Sequence, residues 1–237
     1  MKRFWDTATL TTTPDGHQLL LDGIPLRLPE GGLLVIASPP LAQAIRDEWQ
    51  AAGGAKGGEV HHNRHLPLTQ FHTTAAIRVA EQRDAIIDSI AAYGESDLLC
   101  YRAASPRPLR EKQDNAWQIW LDWAALTLDA PLLVAEGIVH VAQPAASLAA
   151  LRAALNATSN EELAVLGVVV PATGSLVLGL AMIKNVIDAK QLHEAAIVDE
   201  QFQIDFWGED AEGMARLAHL ATELALAERF LTLVRST

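Results

Sequence analysis

The stretch Thr11-Thr12-Thr13-Pro14-Asp15-Gly16-His17-Gln18-Leu19-Leu20-Leu21-Asp22-Gly23-Ile24-Pro25 decides how the chain begins. It contains two Asp-Gly pairs, each set between β-prone runs. Such pairs are strong short-range hairpin signals, because both residues tolerate the positive φ that tight hairpin turns demand. Working outward, the extended runs are Thr7 to Thr13, His17 to Leu21, Ile24 to Leu28 and Leu33 to Ile36, with Pro29-Glu30-Gly31-Gly32 as a further turn before the last. This spacing predicts a small antiparallel meander over residues 1–37. A unit of that size buries too little surface to stand alone and must pack on something.

The period changes at Ser38. Ser38-Pro39 reads as an N-cap followed by proline at the first helical position, where a missing N–H costs nothing. Leu41, Ala44, Ile45, Trp49 and Ala52 then recur at helical spacing, which makes Trp49 a structural residue on an apolar stripe. Gly53-Gly54 and Gly57-Gly58 end that helix in a connector that reads as flexible. Helical stripes resume with Ile86, Ile87, Ile90 and Ala91, then with Trp117, Trp120, Leu121, Ala124 and Leu128, and near the end with Leu217, Leu220, Ala221, Leu224 and Leu231. Leu132 to Gln143 stays open between coil and a short β piece. The expected class is α+β: a small antiparallel β N-terminal domain (1–37), a linking helix and glycine-rich connector (38–65), and a larger, mainly helical C-terminal domain (66–237).

The chain has 237 residues, half of them hydrophobic, which supports a sizeable core and excludes a mostly disordered polymer. Its 29 acidic and 18 basic residues leave a formal charge of −11, poorly suited to a phosphate backbone or an anionic membrane. Cys100 is the one cysteine, which points weakly to a reducing compartment. The most apolar stretch, Leu163 to Ile183, is interrupted by Pro171, Gly174 and Gly179 and reads as a short extended piece followed by a buried helix. A membrane span would need roughly 20 apolar residues with little interruption. No apolar run follows Lys2-Arg3, and Asp6 comes early for a transit peptide. The expectation is a cytoplasmic protein without signal or transit peptide and without membrane insertion.

Motifs for chemistry are weak. His61, His62 and His65 sit in a glycine-rich loop close to Pro67, without the intervening glutamate of a zincin, so an exposed polar loop is the plainer reading than a metal site. In Gly53 to Gly58, Lys56 is followed by Gly57 rather than Ser or Thr, and a helix precedes it, so it is no phosphate loop. Ser175 lacks the second flanking glycine of a nucleophile elbow and reads as a helix start. Cys100, beside Leu98, Leu99 and Tyr101, reads as a buried inert thiol. Trp117 and Trp120 share a helix face as core, while Trp123 points elsewhere. Two acidic sites remain, Asp199-Glu200 and Trp207-Gly208-Glu209-Asp210, the second at a helix break. Asp210 there is either an N-cap or a partner contact, and Trp207 either core or anchor. Glu200 and Glu209 read as partner contacts.

Taken in order, these residues resemble the "ATP-twelve" family, the assembly chaperones for the alpha subunit of F-type ATP synthase. The resemblance is carried by Leu21-Asp22-Gly23 with Pro25-Leu26-Arg27 and Pro29, by Leu41-Ala42 with Glu48-Trp49, and by Pro67-Leu68-Thr69. It continues through Asp97-Leu98-Leu99-Cys100-Tyr101-Arg102-Ala103 with Pro106, Leu109 and Gln113, then Trp117, Trp123-Ala124, Gly137-Ile138, Gln143 and Gly174-Ser175-Leu176. It ends on Glu200, Gln203 and Trp207-Gly208-Glu209-Asp210. The chain departs from the family pattern at Trp117-Gln118-Ile119 and at Thr73-Thr74-Ala75-Ala76-Ile77. The resemblance implies a bacterial, non-catalytic chaperone that binds the free alpha subunit of the F-one sector and needs no cofactor, metal, nucleic acid or small-molecule substrate. Its partner site would include Glu200, Trp207, Glu209 and Asp210, and Arg102 would be structural with Trp49. The competing expectation is a small hydrolase using Glu209, Asp210 and a histidine, with a metal held by His61, His62 and His65.

Overall fold

The computed structural model describes residues 1–28 and 31–236. The turn expected at Pro29-Glu30 therefore lies outside the described residues. The chain is α+β, with a small antiparallel sheet at the N-terminus followed by a larger helical part. Contacts group it into two compact units: residues 1–81 together with the C-terminal residues from Arg229, and residues 82–228. This division differs from one at residues 37 and 65, because the helix expected to act as a linker packs on the sheet.

In the first unit, β1 (Ala8–Thr13) and β2 (Gly16–Leu21) form a hairpin, and β2 pairs antiparallel with both β3 (Ile24–Pro25) and β4 (Val35–Ile36). Asp22 and Gly23 carry φ of 49° and 80°, the pair of positive values that a two-residue hairpin turn of the favoured twist needs. The Asp22 carboxylate also accepts the backbone N–H groups of Asp6 and Thr7, which holds its pKa below the usual range. Leu19 and Leu21 alternate inward, and helix α1 (Pro39–Ala51) lies against β1 and β2 with Leu41, Ala42, Ile45 and Trp49 buried. Ser38 caps α1 by accepting the Leu41 N–H, and its own hydroxyl donates to the Leu233 carbonyl, 2.6 Å away.

Around Trp49 a relay of bonds holds this unit together. The Trp5 indole N–H donates to the Trp49 carbonyl, and the Trp49 indole N–H to the Thr69 hydroxyl, each at 3.0 Å. That hydroxyl donates in turn to Glu48, whose carboxylate also accepts the Leu68 and Thr69 N–H groups. Glu48 so caps the short helix α3 (Pro67–Thr73), which follows the single turn α2 (His62–His65). The glycine connector is not the free loop its composition suggests. Arg3 N–H donates to Gly58 O, Gly57 N–H donates to Arg3 O, and the buried Arg3 guanidinium donates to the carbonyls of Trp5, Asp6, Gln50, Ala52 and Gly54.

A π-helical segment, Thr74–Val79, leads into α4 (Ala80–Ala91), so Ile86 to Ile90 is helical as expected. The second unit is built on α5 (Arg107–Leu128), α6 (Ala145–Asn156), α7 (Asn160–Thr173), α8 (Leu176–Ile183), α9 (Ala189–Ala196), α10 (Val198–Trp207) and the larger part of α11 (Ala211–Arg235). The apolar stretch Leu163 to Ile183 is two buried helices broken at Gly174-Ser175, correcting the expected extended piece. Ser175 starts the second helix as expected, whereas hydrophobic residues on every side of Leu163 to Thr173 leave that part without a helical period. The open segment after Leu132 contributes β6 (Ala135–Glu136), paired parallel with β5 (Tyr101–Arg102).

Candidate partner-binding surface

Buried polar groups fasten the second unit from inside. Asp97 has no exposed surface and accepts from the Ser175 hydroxyl at 2.8 Å and the Val177 N–H at 3.0 Å, capping α8 from a distant part of the chain. Burial raises its pKa to about 6 against those bonds. Ser175 itself caps α8 through the Leu178 N–H, a structural task rather than a nucleophile's. Cys100 is buried, and burial pushes its thiol to about 12, which leaves it protonated and unreactive. Arg102 is 1% exposed, lies over the Trp117 ring and donates to the Leu99 carbonyl and, at 2.8 Å, to Asp114. Trp117 is buried and donates to the Ala195 carbonyl, whereas Trp120 and Trp123 are both half-buried.

Two bonds from α5 position α10. Gln113, itself buried, donates to Asp199 at 2.7 Å, and the Lys112 ammonium contacts Asp205 at 2.6 Å, holding that carboxyl below its ordinary pKa. Helix α10 then stops at Gly208, whose φ of 91° turns the backbone where an ordinary L-residue would be strained. Beyond the turn, the Asp210 carboxylate accepts the Gly213 N–H at 2.7 Å and caps the start of α11. Asp210 is therefore an N-cap, one of the two roles its sequence position allowed.

The same corner leaves its aromatic residues outside. Trp207 is 74% exposed and Phe206 72% exposed, so Trp207 is not core. Glu200 lies in the first turn of α10 and stands 3.7 Å from Arg216. Glu209 is exposed and makes no hydrogen bond or ion pair among the described residues. The structure thus brings Glu200, Trp207, Glu209 and Asp210 to one helix–helix corner, with different work for each. Phe206 escaped the sequence reading, although its i, i+4 spacing from Phe202 beside a run of acids was a usable signal.

The histidine cluster has other occupations. The His65 Nδ1 accepts the His61 backbone N–H at 3.1 Å, and the His61 ring stands 3.5 Å from Glu59. Among the described residues no three His, Cys, Asp or Glu side chains are placed to hold a metal, and no helix is long and apolar enough to cross a membrane. Asp210, a carboxylate of the hydrolase expectation, has its Oδ1 on the α11 cap.

The family described as ATP12 chaperone protein matches residues 2–125. Among solved structures, the chain is similar to Atp12 from Paracoccus denitrificans, with 38% identity, a TM-score of 0.89, and 99% of this chain and 98% of that one covered. A single-residue variant of Atp12p from the same organism matches at 37% identity with the same score and coverage. The Atu1473 protein from Agrobacterium tumefaciens is 33% identical, with a TM-score of 0.88 over 99% of this chain and 86% of that one.

Proposed function

Because the chain belongs to the ATP12 chaperone protein family, we propose that it is an assembly chaperone of F-type ATP synthase, binding the free alpha subunit of the F-one sector and masking its apolar interface until the beta subunit replaces it. An alpha subunit made ahead of its partner presents apolar surface, and such surface aggregates unless covered. Masking is a binding task. It requires exposed apolar anchors with a polar rim, and no catalytic group, metal, nucleotide or other cofactor. It also fits a cytoplasmic setting, where the subunits meet.

The observation that carries this reading is the exposure of Trp207 at a helix–helix corner among carboxylates. We assign the client surface to the corner bearing Glu200, Trp207, Glu209 and Asp210. Exposed tryptophan is enriched at binding hot spots, and charged rims select the partner and speed the encounter. Co-expression with the cognate alpha subunit tests the proposal. The expected result is more soluble alpha subunit, recovered in a complex with this chain and without added nucleotide. Alpha subunit that stays insoluble and never copurifies would refute it.

A further inference from the structure

At the end of α10 three rings form a ladder. Phe202 and Phe206, one helical turn apart, have centroids 6.4 Å apart and planes within 14° of parallel, and Trp207 stands edge-on to Phe206 at 5.5 Å. Exposure rises along it. Phe202 is half-buried, with the Lys112 ammonium 5.7 Å from its ring centre, while Phe206 and Trp207 are largely in solvent. Folding gains little from two large rings left outside the core. The helix beneath them is tied to α5 by Gln113 through Asp199 and by Lys112 through Asp205. Rings carried on a helix tied in this way lose little freedom when a partner covers them.

Acids dominate the segment that carries the ladder, with Lys112 and Arg216 as the cations beside it. Residues 199–212 hold Asp199, Glu200, Asp205, Glu209, Asp210 and Glu212, and no Lys or Arg. Four of these acids already have internal partners: Asp199 with Gln113, Glu200 with Arg216, Asp205 with Lys112, and Asp210 with the Gly213 N–H. Glu209 and Glu212 are exposed and have none among the described residues. Their carboxyl groups are open to a partner.

We infer that Phe206 and Trp207 enter an apolar groove on the client, and that the rim of this groove carries Lys or Arg side chains that meet Glu209 and Glu212. This docking mode rests on the client role proposed above and divides the labour within the corner: Asp210 caps α11 and Glu200 faces Arg216. The occupant is the client rather than a second copy of this chain, because two copies would bring the same unpaired acids together.

Binding of the purified alpha subunit to the full-length chain, measured at low and at moderate salt, tests the inference. The variants are Phe206→Ser with Trp207→Ser, Glu209→Gln with Glu212→Gln, and, as a control on the exposed face of α5, Ile119→Ser with Leu126→Ser. The ring variant should lose roughly 30-fold or more in affinity. Its Tm should hold, since both rings are exposed. The acid variant should weaken binding by about three- to tenfold and flatten its salt dependence. The α5 control should bind like the wild type. Full affinity in the ring variant, or loss in the control alone, would overturn the anchors, and salt-independent binding by the wild type would overturn the rim. If the wild type captures the alpha subunit and every variant does so equally, only the docking mode fails. If the wild type captures none, the client role fails with it.

Discussion

Burial and hydrogen bonding pull Asp97 in opposite directions. It accepts from Ser175, Val177 and Leu99, yet desolvation wins and its pKa stands near 6. The folded chain therefore holds a proton that the unfolded chain releases near 3.8. Stability from this residue is greatest below about pH 4 and falls as pH rises to 6, by up to about 3 kcal/mol. Urea titrations of wild type and Asp97→Asn at pH 4 and pH 6 should show the wild type losing ground to the variant across that interval, and a constant difference would refute the assignment. Trp49 is a simpler case, because packing and its bond to Thr69 act together. Trp49→Ala should cost about 3–5 kcal/mol in denaturation experiments. Trp49→Phe, which keeps a ring and loses only the donor, should cost nearer 1–2 kcal/mol. An unchanged melting temperature in Trp49→Ala would show that the Trp5–Trp49–Thr69 relay adds nothing.

At the scale of elements, caps decide where helices start, and some of them are written locally while others are not. Ser38 before two prolines and the Asp22-Gly23 turn were legible because each effect acts within a few residues, whereas the first hairpin turns on Pro14-Asp15 and Gly16 already opens β2. The capping of α8 by Asp97 was not, since the donor and acceptor come from distant parts of the chain. The connector misled for the same reason. Glycines 53, 54, 57 and 58 look flexible alone, but the Arg3 guanidinium and the paired N-terminal backbone satisfy their segment. The corner at Gly208 was legible as a break, whereas the exposure of its rings depended on packing that no period reveals. The Asp210 cap can be tested directly. Asp210→Ala should lower stability by about 1 kcal/mol and fray the start of α11, and Asp210→Ser should restore most of the loss. Amide exchange at Gly213 would report it; equal protection in all three proteins would mean the cap is idle.

Over the whole molecule, a formal charge of −11 has to keep a protein dispersed while Phe206, Trp207, Ile119, Leu126 and Ile138 lie in solvent. Like-charge repulsion between copies opposes the attraction between these apolar surfaces, and at neutral pH it dominates. The balance shifts near the sequence pI of about 5.1, where the repulsion vanishes but the rings remain. The chain should therefore self-associate as pH falls from 7 toward 5, as seen by light scattering, in a concentration-dependent and reversible way. Phe206→Ser with Trp207→Ser should suppress much of that association without moving the pI, because neither ring titrates. Glu209→Gln with Glu212→Gln should move its onset to higher pH by removing two charges beside the rings. Association that proceeds equally in the ring variant would place the attraction on another face and break the link between net charge and this corner.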